Sequence, residues 1–198
     1  MIKSTAPPRR KPMTTKLAAA PTPAMDNVMI DLETLGRRAG CAILSIGAVA
    51  FDPVSGKLGP ELYVVVDRES QANLHTDPDT LAWWEGQSKE ARAVLTDKAA
   101  VPLGDALVKF NQYLSQFNFT KVKVWGNGAD FDNAIMASCY AAAGLEVPWS
   151  FWNNRCYRTL KGVVGGPKLT RQGTYHNALD DAKTQAEHAI QLFKLLAE

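Results

Sequence analysis

Three strand-like runs follow one another before the first helical pattern, and this order narrows the choice of fold. The runs are Val28–Leu32, Ala42–Phe51 and Leu62–Val66, and a turn at Asp52–Gly56 joins the second to the third. Consecutive strands with short connections usually pair with each other, so we expect an antiparallel meander. Helical and strand-like segments then alternate to the end of the chain. This order predicts an α/β fold with a mixed central sheet flanked by helices.

Caps and apolar spacing mark the helical segments. Asp77 precedes a proline and is typical of a helix start, and apolar residues recur every three or four positions from 103 to 117. We expect a further strand in "KVKVWGN" and a helix over Phe131–Ala143. A final helix is predicted from about His176 to near the C-terminus.

The first strand-like run ends in two carboxylates, Asp31 and Glu33, on either side of Leu32. Residues two apart in a strand point to the same side of the sheet, so the two acids share one face. Like charges on one face repel each other. The pair therefore lies either on a solvated surface or around a hard cation such as Mg²⁺, and further acids are needed to decide between these possibilities.

Two more acidic motifs follow the first. Asp130 and Asp132 open a helix directly after a strand, where an acid is also expected as a helix cap, and ligand sites in α/β folds gather at the carboxyl ends of strands. In "HNALDD", His176 lies five residues before Asp181, and a regular helix would place the two on different faces. His176 reaches the site only if it lies just before the helix or in its first turn, and only one of Asp180 and Asp181 can face the site.

Together, the motifs "DLET", "GADFDN" and "HNALDD" resemble those of DEDD-type 3′-to-5′ exonucleases of the His-containing subgroup, DEDDh. The resemblance extends from about Val28 to the C-terminus and is nearest to RNase T-like exoribonucleases, a group that includes a phage DNA exonuclease A. It implies an RNase H-like fold for residues 26–198. The second-motif acid of the family follows an aromatic residue, which selects Asp132 after Phe131 rather than Asp130.

The resemblance also implies a cofactor and a set of site residues. Two Mg²⁺ ions, which Mn²⁺ can replace, would be held by Asp31, Glu33, Asp132 and Asp181. Asp31 would bridge both ions, and His176 would take the proton from the attacking water, a role that suits an imidazole. The product would be a nucleoside 5′-monophosphate released from the 3′ end of DNA or RNA. The terminal nucleotide would be bound by Leu32, Thr34 and Leu35, and Phe131 is expected to pack beside the site or against the terminal base.

Aromatic and basic residues outside the motifs leave alternatives open. Trp83 and Trp84 face different ways on a helix, so at most one is expected in the core, and the other could stack on a base. His188 is expected to be structural or solvated. Five basic residues before the third motif either grip phosphates or lie on a solvated surface: Arg155, Arg158, Lys161, Lys168 and Arg171.

Residues 1–25 differ in composition from the rest of the chain. They hold five basic residues, five prolines and no acid. Subtracting those five from the 22 basic residues leaves 17 against 20 acidic ones, so the remainder is acidic. We expect a disordered basic tail rich in proline and alanine, which either adds weak phosphate contacts or is a solubilising or vestigial extension.

The predicted function is a metal-dependent 3′-to-5′ exonuclease that acts on single-stranded nucleic acid or a 3′ overhang. Its predicted location is cytoplasmic, because the three cysteines are widely spaced and neither a signal peptide nor a membrane span is recognisable. A homodimer is left open, as is the choice between DNA and RNA. The alternatives are a catalytically silent nucleic-acid-binding module and an endonuclease or resolvase on the same fold. The complete acid set argues against silence, and endonucleases of this fold typically lack the His176–Asp181 pair.

Overall fold

The computed structural model describes residues 25–128 and 130–198 and contains one mixed sheet of five strands. The strands are β1 (Asn27–Thr34), β2 (Ile43–Asp52), β3 (Lys57–Val65), β4 (Lys123–Gly126) and β5 (Asn154–Cys156). Their order across the sheet is β3-β2-β1-β4-β5. Neighbours among the first three strands pair antiparallel, whereas β4 lies parallel to β1 and β5 parallel to β4. The predicted α/β fold with a mixed sheet is confirmed.

Six α-helices accompany the sheet in the described part of the chain. They are α1 (Pro78–Glu85), α2 (Lys89–Arg92), α3 (Leu103–Leu114), α4 (Asp132–Ala142), α5 (Tyr157–Val164) and α6 (Ala178–Ala197). None of these helices is both long enough and apolar enough to cross a membrane. The predicted tail, residues 1–25, lies outside the described residues except for Met25, which packs against the core.

Among the boundaries that differ from the sequence prediction, one strand start and one helix start have clear local causes. β3 begins at Lys57 rather than Leu62, although it contains Pro60. Proline is tolerated there because β3 is an edge strand of the sheet, where one row of backbone N–H groups needs no partner. The last helix begins at Ala178 rather than His176, because the Asn177 side chain accepts hydrogen bonds from the next turn and caps the helix.

The helix α5 is absent from the sequence prediction. It is only eight residues long and contains Gly162, so neither its length nor its composition favours a helix. Its apolar residues Tyr157, Leu160 and Val164 recur at spacings of three and four and pack with α6 residues. Tertiary packing against α6 therefore stabilises a segment that is a weak helix former on its own.

Strand β1 lies at the centre of the sheet and contacts a different set of helices on each face. Val28, Ile30 and Leu32 pack with residues of α3 and α4. Met29 points to the opposite face and packs with residues of α5 and α6. Asp31 and Glu33 continue the face of Met29, because side chains alternate along a strand. The two acids of the first motif therefore point toward α6.

Two glycines allow the acid-bearing helices to approach the sheet closely. Gly47 pairs with Asp31 across β1 and β2, and a Cβ there would lie 2.1 Å from the carbonyl carbon of Ala178. A Cβ on Gly126, at the end of β4, would lie 2.8 Å from the Cβ of Asp132. Any side chain at either position would push the start of α6 or α4 away from β1.

Candidate active site

Four carboxylates meet where β1 and β4 end and where α4 and α6 begin. Asp31 and Glu33 come from β1, Asp132 is the first residue of α4, and Asp181 lies in the first turn of α6. The parallel strands β1 and β4 end at the same edge of the sheet, which brings the two helix starts together there. Asp132 is 1% exposed, and Glu33 and Asp181 are also buried.

Burial and mutual repulsion make the ionised form of this cluster costly. Burial, followed by the charges of the three other acids, raises the pKa of Asp31 well above its usual range. Burial and the neighbouring acids raise the pKa of Glu33 to about 8, and burial raises the pKa of Asp132 to about 6 despite hydrogen bonds from backbone N–H groups. The pKa of Asp181 is raised by burial and lowered by Arg171 and His176. A bound cation would relieve this repulsion.

The donor set fits a hard divalent cation. Ligand atoms of Glu33, His176 and Asp181 all lie within 4.8 Å of one another. The side-chain oxygen Oε1 of Gln185 is buried beside Asp31 and has no hydrogen-bond partner among the described residues. Carboxylate and carbonyl oxygens are the ligands, directly or through water, that Mg²⁺ and Mn²⁺ prefer.

Asp132 and Asp130 have contrasting surroundings. Oδ1 of Asp132 accepts a hydrogen bond from the backbone N–H of Leu32 at 3.3 Å, and Oδ2 accepts one from Asn127 at 2.7 Å. The first contact joins the start of α4 to β1, and the second joins it to the residue that follows β4. Asp130 is exposed. The structure therefore places Asp132 with the other acids, whereas Asp130 faces the surface.

His176 belongs to a segment, residues 167–177, that hydrogen bonds hold against α6. The Nε2–H group of His188 donates to the Pro167 carbonyl at 2.9 Å, and the backbone N–H of Thr174 donates to Asp180 at 2.8 Å. Asp180 thus holds the segment, while the adjacent Asp181 points to the other acids. His188 is buried and structural, since its Nδ1 also lies 2.6 Å from the hydroxyl of Tyr157.

The ring of His176 is held just before α6. Its backbone has a φ of +61°, which a residue other than glycine rarely adopts. Its ring meets the ring of Trp83 edge to face, with 4.8 Å between centroids. Burial lowers the pKa of His176, opposed by the charge of Asp181 and assisted by Arg171. The imidazole is therefore neutral at pH 7 and can accept a proton.

Of the five basic residues singled out in the sequence, Arg171 lines the cavity that Asp31, Glu33 and Asp181 border. Its Nη1 donates to Asp181 Oδ1 at 2.6 Å, and its guanidinium lies 3.9 Å from the ring centroid of Tyr175. Arg158 instead donates to the backbone carbonyl of Asn127, and Arg155 donates to backbone carbonyls near β5. Of these five residues, Arg171 is thus the one placed to meet a phosphate beside the acids.

Asp31, Glu33 and Asp181 border a cavity of about 430 Å³ that is also lined by aromatic side chains. Leu32, Thr34 and Phe131 line this cavity, as does Trp83, which is 45% exposed. Leu35 lies behind them, buried in an apolar cluster with Trp84. The indole N–H of Trp84 donates to the Thr34 carbonyl at 2.9 Å, so Trp84 supports the cavity wall from the core.

Gln185 is a residue in contact with the acids that the sequence analysis missed. Its Nε2 donates to Asp31 Oδ1 at 2.7 Å. The signal that could have found it is its spacing, since it follows Asp181 by four residues and so lies on the same face of α6.

The raised pKa of Glu33 predicts how the cation-free protein responds to pH. The folded protein binds more protons at Glu33 than the unfolded chain does between the ordinary pKa of 4.5 and the folded value of about 8. The contribution of Glu33 to stability is therefore fully present below pH 4.5 and is lost as the pH rises through about 8. We expect the melting temperature in EDTA to fall over this range and Mn²⁺ to restore it at pH 8.

Glu33→Gln should flatten this pH dependence and weaken the rescue by Mn²⁺. Glu90→Gln, at an exposed position on α2, is the matched control and should behave as wild type. A wild-type melting temperature that is independent of both pH and Mn²⁺ would contradict the buried acid cluster. The measurement is differential scanning fluorimetry across the pH series.

Comparison with known proteins places the chain among exonucleases. A family model described as the 3′-5′ exoribonuclease Rv2179c-like domain matches residues 26–193. An exodeoxyribonuclease of Enterobacteria phage T4 is 27% identical over 165 residues, which cover 68% of this chain and 70% of the phage protein. This match agrees with the resemblance to a phage DNA exonuclease.

Several solved nuclease structures share the fold. The nuclease domain of 3′hExo, a DEDDh family member bound to rAMP, has a TM-score of 0.60 at 16% identity and covers 85% of this chain and 91% of that chain. E. coli Exonuclease I in complex with a dT13 oligonucleotide has a TM-score of 0.60 at 14% identity, with 84% and 40% covered. Exonuclease X with 5′ overhanging duplex DNA has a TM-score of 0.55 at 18% identity, with 87% and 93% covered. These likenesses confirm the predicted RNase H-like fold.

Proposed function

The chain belongs to the 3′-5′ exoribonuclease Rv2179c-like domain family, and from this premise we propose that it shortens single-stranded or overhanging 3′ ends with two divalent cations and a histidine base. Family membership confirms the predicted enzyme class, a 3′-to-5′ exonuclease acting on nucleic acid. The finer steps are inferred from the site. The observation that carries them is a group of four converging acids, three of them buried, beside a neutral imidazole.

The four acids form the proposed cation site. Asp31, Glu33, Asp132 and Asp181 would hold two Mg²⁺ or Mn²⁺ ions. When bound, such ions stabilise the attacking and leaving oxygens of an in-line displacement at phosphorus. The fixed orientation of Asp132, which accepts two backbone N–H groups, keeps its carboxylate in place before cations arrive. This preorganisation reduces the rearrangement needed during the reaction.

His176 is proposed as the general base. Its lowered pKa keeps the ring neutral at pH 7, so a ring nitrogen can take a proton from the attacking water. The edge-to-face contact with Trp83 and the capped start of α6 limit the movement of the ring. The leaving group is the 3′ oxygen of the shortened strand, and the released product is a nucleoside 5′-monophosphate.

Aromatic and basic side chains around the cavity are suited to the terminal nucleotide. Phe131 and Trp83 both line the cavity and present ring surfaces on which a base can stack, while Leu32 and Thr34 border the acids. The guanidinium of Arg171 contacts Tyr175 and Asp181 and has further N–H donors for a phosphate. Leu35 would act indirectly by supporting the backbone of Thr34.

The direct test follows degradation of 5′-labelled single strands of DNA and RNA of one sequence, alone and as 3′ overhangs. We expect stepwise shortening from the 3′ end in Mg²⁺ or Mn²⁺, mononucleotide products with a 5′-phosphate, and no reaction in excess EDTA. The ratio of the initial rate on DNA to that on RNA would show which of the two nucleic acids the enzyme prefers. Internal cuts would indicate an endonuclease, and binding without shortening would indicate a silent binding module.

A cytoplasmic location and a disordered tail at residues 1–25 remain predictions.

A further inference from the structure

Gln185 is a buried amide in contact with the acid cluster. It lies on α6 one turn after Asp181 and is 6% exposed. Its Nε2 donates to Asp31 Oδ1 at 2.7 Å, which joins the third motif region to the first across 154 residues of sequence. An apolar side chain of similar size would fill this position without the cost of burying an amide. The amide therefore points to a specific partner.

The chemistry of the contact fixes the orientation of the amide. A carboxylate that binds a cation is ionised and accepts hydrogen bonds only, so in the cation-binding form the NH₂ group rather than the oxygen of Gln185 must face Asp31, as it does in the structure. The oxygen Oε1 is then left buried without a partner among the described residues. The site thus retains one unsatisfied polar atom in order to supply one donor to Asp31. Such an arrangement is unfavourable for folding alone, whereas it is useful if the orientation of Asp31 matters.

We propose that Gln185 is a positioning residue that holds the Asp31 carboxylate in the orientation needed to bind divalent cations. This inference rests on the proposed cation site and extends it by one residue. The hydrogen bond occupies one lone pair of Oδ1 and limits rotation of the carboxylate. The remaining lone pairs of both oxygens stay available for cations. Residues that orient a metal ligand in this way typically contribute 10–100-fold to metal affinity.

The test compares Gln185→Met, which keeps the size but removes the donor, with Gln112→Met on the exposed surface of α3. Mn²⁺ binding to substrate-free protein is measured by isothermal titration calorimetry, and exonuclease rate is measured against Mn²⁺ concentration. We expect Gln185→Met to bind Mn²⁺ about 10–100-fold more weakly. Its rate at saturating Mn²⁺ should approach that of wild type. The control should match wild type in both measurements.

A second variant keeps the test informative if Gln185→Met does not fold. Gln185→Asn keeps an amide but shortens its reach, so it should fold and show a smaller loss of Mn²⁺ affinity than Gln185→Met. A folded Gln185→Met protein with wild-type Mn²⁺ affinity, whatever its melting temperature, would overturn the positioning role. Wild-type protein that binds no Mn²⁺ would instead overturn the cation site itself, and this role with it.

Discussion

Asp132→Asn should lower the exonuclease rate by at least about 1,000-fold, because the charge of one cation ligand is worth several kcal/mol to the transition state. Asp130→Asn should leave the rate within about twofold of wild type, since an exposed charge outside the site contributes little. The two positions are separated by Phe131 alone, so they form a matched pair. The measurement is kcat/KM on a 5′-labelled single strand at saturating Mn²⁺.

The loss in Asp132→Asn should arise without unfolding. Asn has the size of Asp, and its single oxygen can still accept from one of the two backbone N–H groups that Asp132 now satisfies. Its NH₂ group would face the other N–H, which costs one hydrogen bond. Removal of a buried charge whose pKa is raised to about 6 offsets that cost at neutral pH. We therefore expect little change in the melting temperature in EDTA.

An inactive Asp130→Asn beside a near-normal Asp132→Asn would contradict this assignment. It would mean that α4 starts in a different register, with the exposed acid turned into the site. Circular dichroism of both variants would be needed to show that neither result reflects misfolding.

The acids of the site could be predicted from the sequence because their signals are local. The two-residue period of a strand predicts that Asp31 and Glu33 share a face, and this property needs no knowledge of the rest of the fold. A carboxylate at the end of a strand or the start of a helix is likewise visible in a few residues. The meander also follows from short connections, and the mixed sheet is confirmed.

The remaining features of the site depend on contacts between distant parts of the chain. The helix α5 forms because α6 covers its apolar face, and its own composition does not indicate a helix. Gln185 meets Asp31 only after α6 has packed on the sheet over Gly47. Arg171 could be recognised as basic, but its place beside Asp181 depends on the contacts that fasten residues 167–177 to α6. Sequence spacing carries no information about such pairings.

The position of His176 could be predicted from the sequence in part, and the rest depends on contacts with distant residues. Its spacing from Asp181 predicts that it cannot lie well inside the helix and still reach the acids. The structure places it before the Asn177 cap with a left-handed backbone. Neither the cap nor the contact with Trp83 was predicted. One of its ring nitrogens lies within 4.8 Å of ligand atoms of Glu33 and Asp181, so the geometry alone fits either a base or a cation ligand.

His176→Ala should separate these two roles. If His176 is the general base, kcat should fall by about 100–10,000-fold, while Mn²⁺ binding measured by calorimetry stays close to wild type. If it is a cation ligand, Mn²⁺ affinity should fall as well. His75→Ala, at a partly buried histidine whose Nε2 lies 3.8 Å from Asp77 Oδ1, is the control and should keep wild-type kcat.

The pH dependence of kcat gives an independent readout of the base. Burial lowers the pKa of His176, so the ring loses its proton below the ordinary value of 6.5 and is ready to accept one above it. Wild-type kcat should therefore rise with pH through a midpoint below 6.5 and then level off. In His176→Ala this midpoint should disappear, leaving a low rate that increases with hydroxide concentration. An unchanged midpoint in the variant would assign the titration to another group and would show that His176 is not the base.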